Sequence, residues 1–209
     1  MASLTEDVIA ELLAPYLVQV APESLPANMF GRLSNYLDLL LRWNARTNLT
    51  AIRDPKQIVQ RHFGESLFAG AVLRGRLSRG ATLLDFGSGA GLPGIPVQLL
   101  LPEVSVCLGE SQGKKASFLR EVIRTLTLKT EVWAGRVEDM PEARRFDCVA
   151  LRAVDNMDLA IAGASSRIAE GGWMAILGTD DRVPELGEPL ESIAIPGGHS
   201  RFLQIFGRA

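Results

Sequence analysis

Apolar residues recur at helical spacing through the first third of the chain. Leu4, Val8, Leu12, Leu13 and Leu17 mark one face of a segment over 4–20, which Pro22 and Pro26 close. Phe30, Leu33, Leu37, Leu40 and Leu41 repeat the spacing over 27–46, where Asp38 and Arg42 form an i, i+4 pair. Residues 44–54 read as a loop. Asp54 followed by Pro55 supplies a cap and a first helical position, so a third helix is expected over 56–73 with a break near Gly64. The spacing thus predicts an all-helical extension over 1–75, packed on whatever follows.

From Gly80 the period changes. Short continuous apolar runs at 81–86, 104–109, 130–134, 146–151 and 173–177 are bounded by Gly, Asp or Pro and read as buried strands. Helix-length stretches at 92–101, 112–126 and 156–169 separate them. Strand-helix alternation of this kind gives an α/β fold with a doubly wound, mostly parallel sheet over 76–209. Residues 190–195 and 201–206 predict an antiparallel hairpin at the C-terminal edge.

A chain of 209 residues with 47% hydrophobic and 22% charged residues is long enough for one sizeable core and is typical of a globular protein. Lys plus Arg number 22 against 24 acidic residues, a net charge of −2, so any nucleic-acid site must be a local patch. Glu6, Asp7 and Glu11 precede the first basic residue, Arg32, unlike the basic start of an export signal, and no apolar run approaches a membrane span. A cytoplasmic protein without membrane contact is expected. Cys107 and Cys148 lie in apolar runs, belong to no Cys-x-x-Cys pair and read as buried thiols, so no metal is expected.

The candidate chemistry sits at Leu83-Leu84-Asp85-Phe86-Gly87-Ser88-Gly89-Ala90-Gly91-Leu92-Pro93-Gly94, an apolar strand entering a glycine-rich turn and a helix. Glycines permit positive φ and close approach of a ligand to backbone amides. Gly89, Gly91 and Gly94 also satisfy the dinucleotide fingerprint G-x-G-x-x-G. Two features favour S-adenosylmethionine. Asp85 precedes Gly87, where it can face a cofactor's ammonium or else cap the next helix, and Pro93 removes an amide a pyrophosphate would use. Glu110 ends the next strand and suits ribose hydroxyls with either ligand. Val137-Glu138 and Arg152 follow the third and fourth strands, at the edge where such ligands lie.

These residues, with Asn48-Leu49-Thr50, Arg53-Asp54-Pro55, Arg61-His62, Ser66, Gly113-Lys114, Arg136-Val137-Glu138 and Arg152-Ala153, resemble the RsmG family, also called glucose-inhibited division protein B. The resemblance runs from about Leu33 to Gly178. It implies a Rossmann-like methyltransferase fold and S-adenosylmethionine-dependent methylation of guanine N7 in small-subunit ribosomal RNA. It also implies a cofactor site of Asp85, Gly87, Gly89, Gly91, Leu92, Glu110, Val137, Glu138 and Arg152. Arg152 is the one candidate for a catalytic part. Glu110 replaces the family's usual Asp, Leu177 its usual Lys, and Arg201-Phe202 an Arg-His pair; the last two fall on the wall expected to meet RNA.

Guanine N7 carries an available lone pair, so transfer needs orientation and no general base. Because the product is cationic, Arg152 is expected to point at a carboxylate or phosphate. RNA contacts are expected from Asn48, Arg53, Arg61, His62, Lys114, Lys115 and Arg201, although His62 by itself reads more readily as a packed histidine. The substrate is expected to be the small subunit or its RNA, and the protein a monomer. A dinucleotide oxidoreductase and a non-catalytic RNA-binding module of the same fold are the competing readings.

Overall fold

The computed structural model describes residues 4–153, 156–179, 186–198 and 200–208. Thr5 caps α1 (Glu6–Leu13), its Oγ1 accepting from the Val8 amide. This helix is shorter than the predicted 4–20, because Pro15 has no amide proton to continue the ladder and the chain tightens into a 3₁₀ turn over Ala14–Tyr16. α2 (Met29–Thr47) ends at Asn48, which sits in the left-handed region at φ 48°. Asp54 accepts from the Gln57 amide at 2.8 Å and starts α3 (Pro55–Ile58).

The break predicted near Gly64 is instead a π-helical stretch, Val59–Gly64, that joins α3 to α4 (Glu65–Leu73) without interrupting the helix. A Cβ at position 64 would lie 2.6 Å from the Tyr16 ring, so the 3₁₀ turn packs here only because glycine has no side chain.

The sheet contains β1 (Thr82–Phe86), β2 (Ser105–Gly109), β3 (Glu131–Trp133), β4 (Phe146–Arg152), β5 (Ile168–Thr179), β6 (Glu191–Ala194) and β7 (Arg201–Gly207). Between strands lie α5 (Gly94–Leu100), α6 (Gly113–Thr125) and α7 (Met157–Ser165). Strand order is β3-β2-β1-β4-β5-β7-β6, with β7 antiparallel to both neighbours. β5 starts at Ile168 rather than at 173, and α7 correspondingly stops at Ser165. Phe146 pairs with Ile168 while Cys148 pairs with Trp173, and the surplus residues form a bulge at Gly171 (φ 69°) and Gly172.

β1 pairs with β2 on one side and β4 on the other, so the winding reverses there and a crevice opens beyond its carboxyl end. Alternate residues face opposite sides of the sheet. Leu83, Ala150, Leu177 and Leu203 join Ile9, Leu40, Phe63 and Phe68 in one apolar cluster, so the N-terminal helices share a core with that face. Leu84, Val149, Met174 and Ile176 pack with Ile161 of α7 on the other. Leu177 is 1% exposed and pairs with Leu203, which places it inside the core rather than on an RNA-facing wall. Cys107 and Cys148 are buried and free, and burial pushes their thiols up to about 11 and about 12.

Candidate active site

β1 carries the chain to the crevice, where it turns through Gly87 (φ 69°), Gly89 (φ 57°) and Gly91 (φ 88°). At Gly91 a Cβ would stand 2.4 Å from Ile95 Cδ1 and 2.9 Å from the Tyr36 hydroxyl. That hydroxyl, buried in α2, donates to the Ala90 carbonyl, so the helical extension holds the glycine turn from behind.

Asp85 is completely buried behind the turn. Its Oδ2 accepts from Ser88 Oγ at 2.6 Å and from the Gly94 amide at 2.9 Å, tying the two ends of the turn and capping α5. Its Oδ1 has no hydrogen-bond partner. Burial raises the carboxyl to about 6, against the opposing effect of those two bonds. Glu110, 5% exposed, accepts from the Gly89 amide at 2.9 Å and the Gln112 amide at 2.7 Å, fixing the turn against the start of α6.

Two neighbouring cavities lie at this turn. One of about 390 Å³ is lined by Thr50, His62, Gly87, Ser88, Gly89, Leu92, Glu110, Lys115 and Arg152, among others. The second, about 300 Å³, is lined by Phe86, Gly109, Val137, Glu138 and Asn156 and shares Gly87 and Ser111 with the first. Gly109 has no room for a side chain, since its Cβ would lie 2.4 Å from Val137 Cγ2. Of the expected cofactor residues, Gly87, Gly89, Leu92, Glu110 and Arg152 border the first cavity and Val137 and Glu138 the second, whereas Asp85 and Gly91 stand behind the turn.

Arg152 points at a carboxylate. Its Nη2 lies 3.1 Å from Glu65 Oε2, and the same nitrogen reaches the Arg61 carbonyl at 3.0 Å and His62 Nδ1 at 2.9 Å. Glu65, only 1% exposed, also pairs with Arg61 at 3.3 Å and with Arg201 at 2.9 Å. Burial, then the positive charges of Arg152, Arg61 and Arg201, lower His62 to about 3, so its ring is neutral. His62 is 8% exposed, and Nε2 lies 2.6 Å from Thr50 Oγ1.

The residues expected to meet RNA therefore divide. Arg201, whose side chain is 20% exposed, and the Nε of Arg61, whose side chain is 46% exposed, both pair with Glu65, and His62 is packed. Arg53 donates to the Asn44 carbonyl at 3.0 Å and to Asn48 Oδ1 at 3.1 Å, and buried Asn44 bonds both backbone groups of Thr50, so Asn48 and Arg53 shape the loop that presents Thr50. Lys114 is exposed, while Lys115 borders the cavity. Sequence reasoning passed over Glu65, Tyr36 and Ser88. For Glu65 a signal existed: an acid four residues after Arg61, within the largely apolar segment at 63–69, needs buried cations.

The family model described as "GidB: rRNA small subunit methyltransferase G" matches residues 29–208. The chain belongs to this family. It is 35% identical over 94% of its length to the Ribosomal RNA small subunit methyltransferase G of Desulfitobacterium hafniense, covering 82% of that protein. Its similarity to the protein of that name from Xanthomonas campestris pv. campestris is 40%, over 82% of this chain and 77% of the relative. Among solved structures, a predicted O-methyltransferase from Agrobacterium tumefaciens superposes with a TM-score of 0.55 at 23% identity, covering 68% of this chain and 79% of that one. P. horikoshii TYW2 gives 0.54 at 16% identity, over 70% and 61%. These two likenesses establish the fold alone. Family membership makes the chain a methyltransferase that uses S-adenosylmethionine, and the oxidoreductase and binding-module readings fall away.

Proposed function

We propose that the protein transfers a methyl group from S-adenosylmethionine to N7 of one guanine in small-subunit ribosomal RNA. The observation that carries this reading is the pair of neighbouring cavities that share Gly87 and Ser111 at the glycine turn, the first also lined by a neutral histidine and a carboxylate-bound arginine. The two compartments suit a cofactor with an amino-acid end and a nucleoside end. In this reading Gly87, Gly89, Leu92 and Glu110 hold the first, Val137 and Glu138 hold the adenine in the second, and Asp85 and Gly91 set the turn's shape. When bound, the cofactor supplies an already electrophilic methyl group.

The chain's own contribution is orientation and exclusion of water. Effects of this kind can supply several kcal/mol, about 7 or more in well-aligned cases. Guanine N7 needs no deprotonation, and the cavity's one histidine is held neutral with both ring nitrogens engaged. Arg152 is turned toward Glu65, which keeps its charge from opposing a cationic product. Exposed Lys114, with Arg42, Arg46 and Lys56, which are also exposed, provides phosphate contacts outside the cavity, and Lys115 provides one at its border. In A-form RNA the major groove is too narrow for side chains, so the target guanine must be unstacked or in an irregular loop. The reading implies that the protein acts in the cytoplasm as a monomer, with the helical extension before β1 as one wall of the site. Among the described residues no helix is long and apolar enough to cross a membrane.

The test is transfer from labelled S-adenosylmethionine to small ribosomal subunits from cells lacking this protein, followed by nucleoside analysis. Label in 7-methylguanosine is expected. Label in another nucleoside overturns the N7 assignment.

A further inference from the structure

The hydrogen bonds that begin at Glu65 end at a hydroxyl in the cavity wall, and their directions are fixed. Arg152 Nη2 can only donate and has two protons for three acceptors, Glu65 Oε2, the Arg61 carbonyl and His62 Nδ1; the shortest contact, 2.9 Å to Nδ1, selects the tautomer in which Nδ1 accepts and the ring proton sits on Nε2. That Nε2–H donates to Thr50 Oγ1 at 2.6 Å, and the Ile52 amide donates to the same oxygen at 3.1 Å. A hydroxyl has two acceptor sites and one proton. Both acceptor sites of Thr50 are taken by the protein, which leaves its O–H as the one valence free for a ligand. The backbone of Thr50 cannot rotate to change this, since its amide and carbonyl are clamped by Asn44 at 3.0 Å and 2.9 Å. Thr50 lines the first cavity, as do Gly87 and Ser88.

A purine whose N7 faces a methyl donor presents its 6-position on the same edge. Guanine offers the O6 acceptor there, and adenine the N6 amino donor. A wall group that can donate and cannot accept separates the two. We propose that Thr50 is the specificity-determining residue of this site, donating to guanine O6 and rejecting adenine, with Glu65, Arg152 and His62 as the positioning residues that fix its polarity. The inference rests on the guanine-N7 reading above. It goes further by assigning the base discrimination to one hydroxyl and giving the reason for its direction.

The experiment is a cycle of two enzymes and two substrates. Wild type and Thr50→Val are assayed on small subunits carrying either guanine or 2-aminopurine, which keeps N7 and lacks O6, at the mapped position. Thr50→Ser, which restores the hydroxyl, is the folding control, and S-adenosylmethionine affinity is measured for all three proteins. On guanine, Thr50→Val is expected to lose about 10- to 100-fold in kcat/KM, the range for one lost hydrogen bond to a desolvated acceptor. Cofactor affinity should stay at the wild-type value, and Thr50→Ser should recover most of the rate. On 2-aminopurine, Thr50→Val and wild type should be equal, because the partner has gone from both.

If the losses multiply on 2-aminopurine, or if Thr50→Val lowers cofactor affinity instead, the hydroxyl does not read O6 and the proposal fails. Wild-type label outside 7-methylguanosine would overturn the guanine-N7 reading and this inference together, whereas correct label with a non-interacting cycle overturns this inference alone.

Discussion

Glu65 and Arg152 lie 3.1 Å apart with side chains 1% and 9% exposed, tying the first turn of α4 to the last residue of β4. Burial lowers the Arg152 pKa from its ordinary value, and the Glu65 carboxylate opposes that shift. A buried pair of this kind contributes little over an apolar pair of the same shape, but removing one partner strands the other. Glu65 serves three arginines, so Glu65→Ala is expected to cost about 3–5 kcal/mol of folding stability in urea unfolding. A loss below about 1 kcal/mol would mean the arginines reach water without it.

Asp85 sets a pH dependence of definite sign. Its folded pKa of about 6 stands above the ordinary 3.8, so the native state binds the proton more tightly. Stability from this group is full below pH 4 and is lost as pH rises through 6. His62, lowered to about 3 from 6.5, works in the opposite sense: its contribution is full above pH 6.5 and is lost as pH falls. Asp85→Asn keeps an acceptor for Gly94 and cannot ionise. Relative to wild type it should gain stability between pH 4 and 7, by up to about 3 kcal/mol for a shift of two units. Denaturant unfolding at the two ends of that range measures the gain, and a pH-independent difference between the proteins would refute it.

Gly91 combines φ 88° with a Cβ position 2.4 Å from Ile95 Cδ1. Gly91→Ala therefore meets backbone strain and a clash together, and about 2–4 kcal/mol of destabilisation is expected. For a chain of this size each kcal/mol lowers Tm by roughly 2–4 °C. Gly113→Ala, where nothing lies within 4 Å and φ is not positive, is the matched control and should melt near wild type.

A reaction that needs no general base should show none. With His62 neutral and Asp85 fully ionised above pH 7, kcat on small subunits is expected to be level from about pH 7 to 9. A limb near neutrality in a single-turnover profile would require a base that this geometry does not supply.

Lys114 and Arg53 should respond differently to loss of charge. Exposed Lys114 is proposed as a phosphate contact, so Lys114→Gln is expected to reduce the slope of log K against log salt by about 0.7–0.9, with stability unchanged. Arg53 binds the Asn44 carbonyl and Asn48 side chain, and Arg53→Gln should instead lower Tm and slow transfer by loosening the Thr50 loop. Equal salt slopes for Lys114→Gln and wild type would remove that lysine from the RNA contact surface.

The chain's own pattern settled what depends on neighbours in sequence. Period-3.6 and continuous apolar runs identified the helices and strands, Asp54-Pro55 marked a helix start, and the glycines after Asp85 marked the turn. Local rules placed two boundaries wrongly. Pro15 ended α1 early, and the bulge at Gly171 and Gly172 lengthened β5 at the expense of α7. The first is a local proline effect that outweighed the helical spacing, and the second reflects a partner strand, β4, about twenty residues away along the chain.

The site's electrostatics were decided only by tertiary structure. Arg61, Arg152 and Arg201 come from a π-helical stretch, a strand end and a strand start, and nothing in their spacing tells that all three meet Glu65. An arginine's role follows from which acceptor lies within about 3 Å and how much water remains, and both are properties of the packed fold. Three arginines of different elements thus share one buried carboxylate, and Thr50, a loop residue of the Asn48-Leu49-Thr50 motif, acquires a hydroxyl of defined polarity. Sequence determined where the glycine turn lies; only the folded contacts determined which of the polar groups around it are free to meet a ligand.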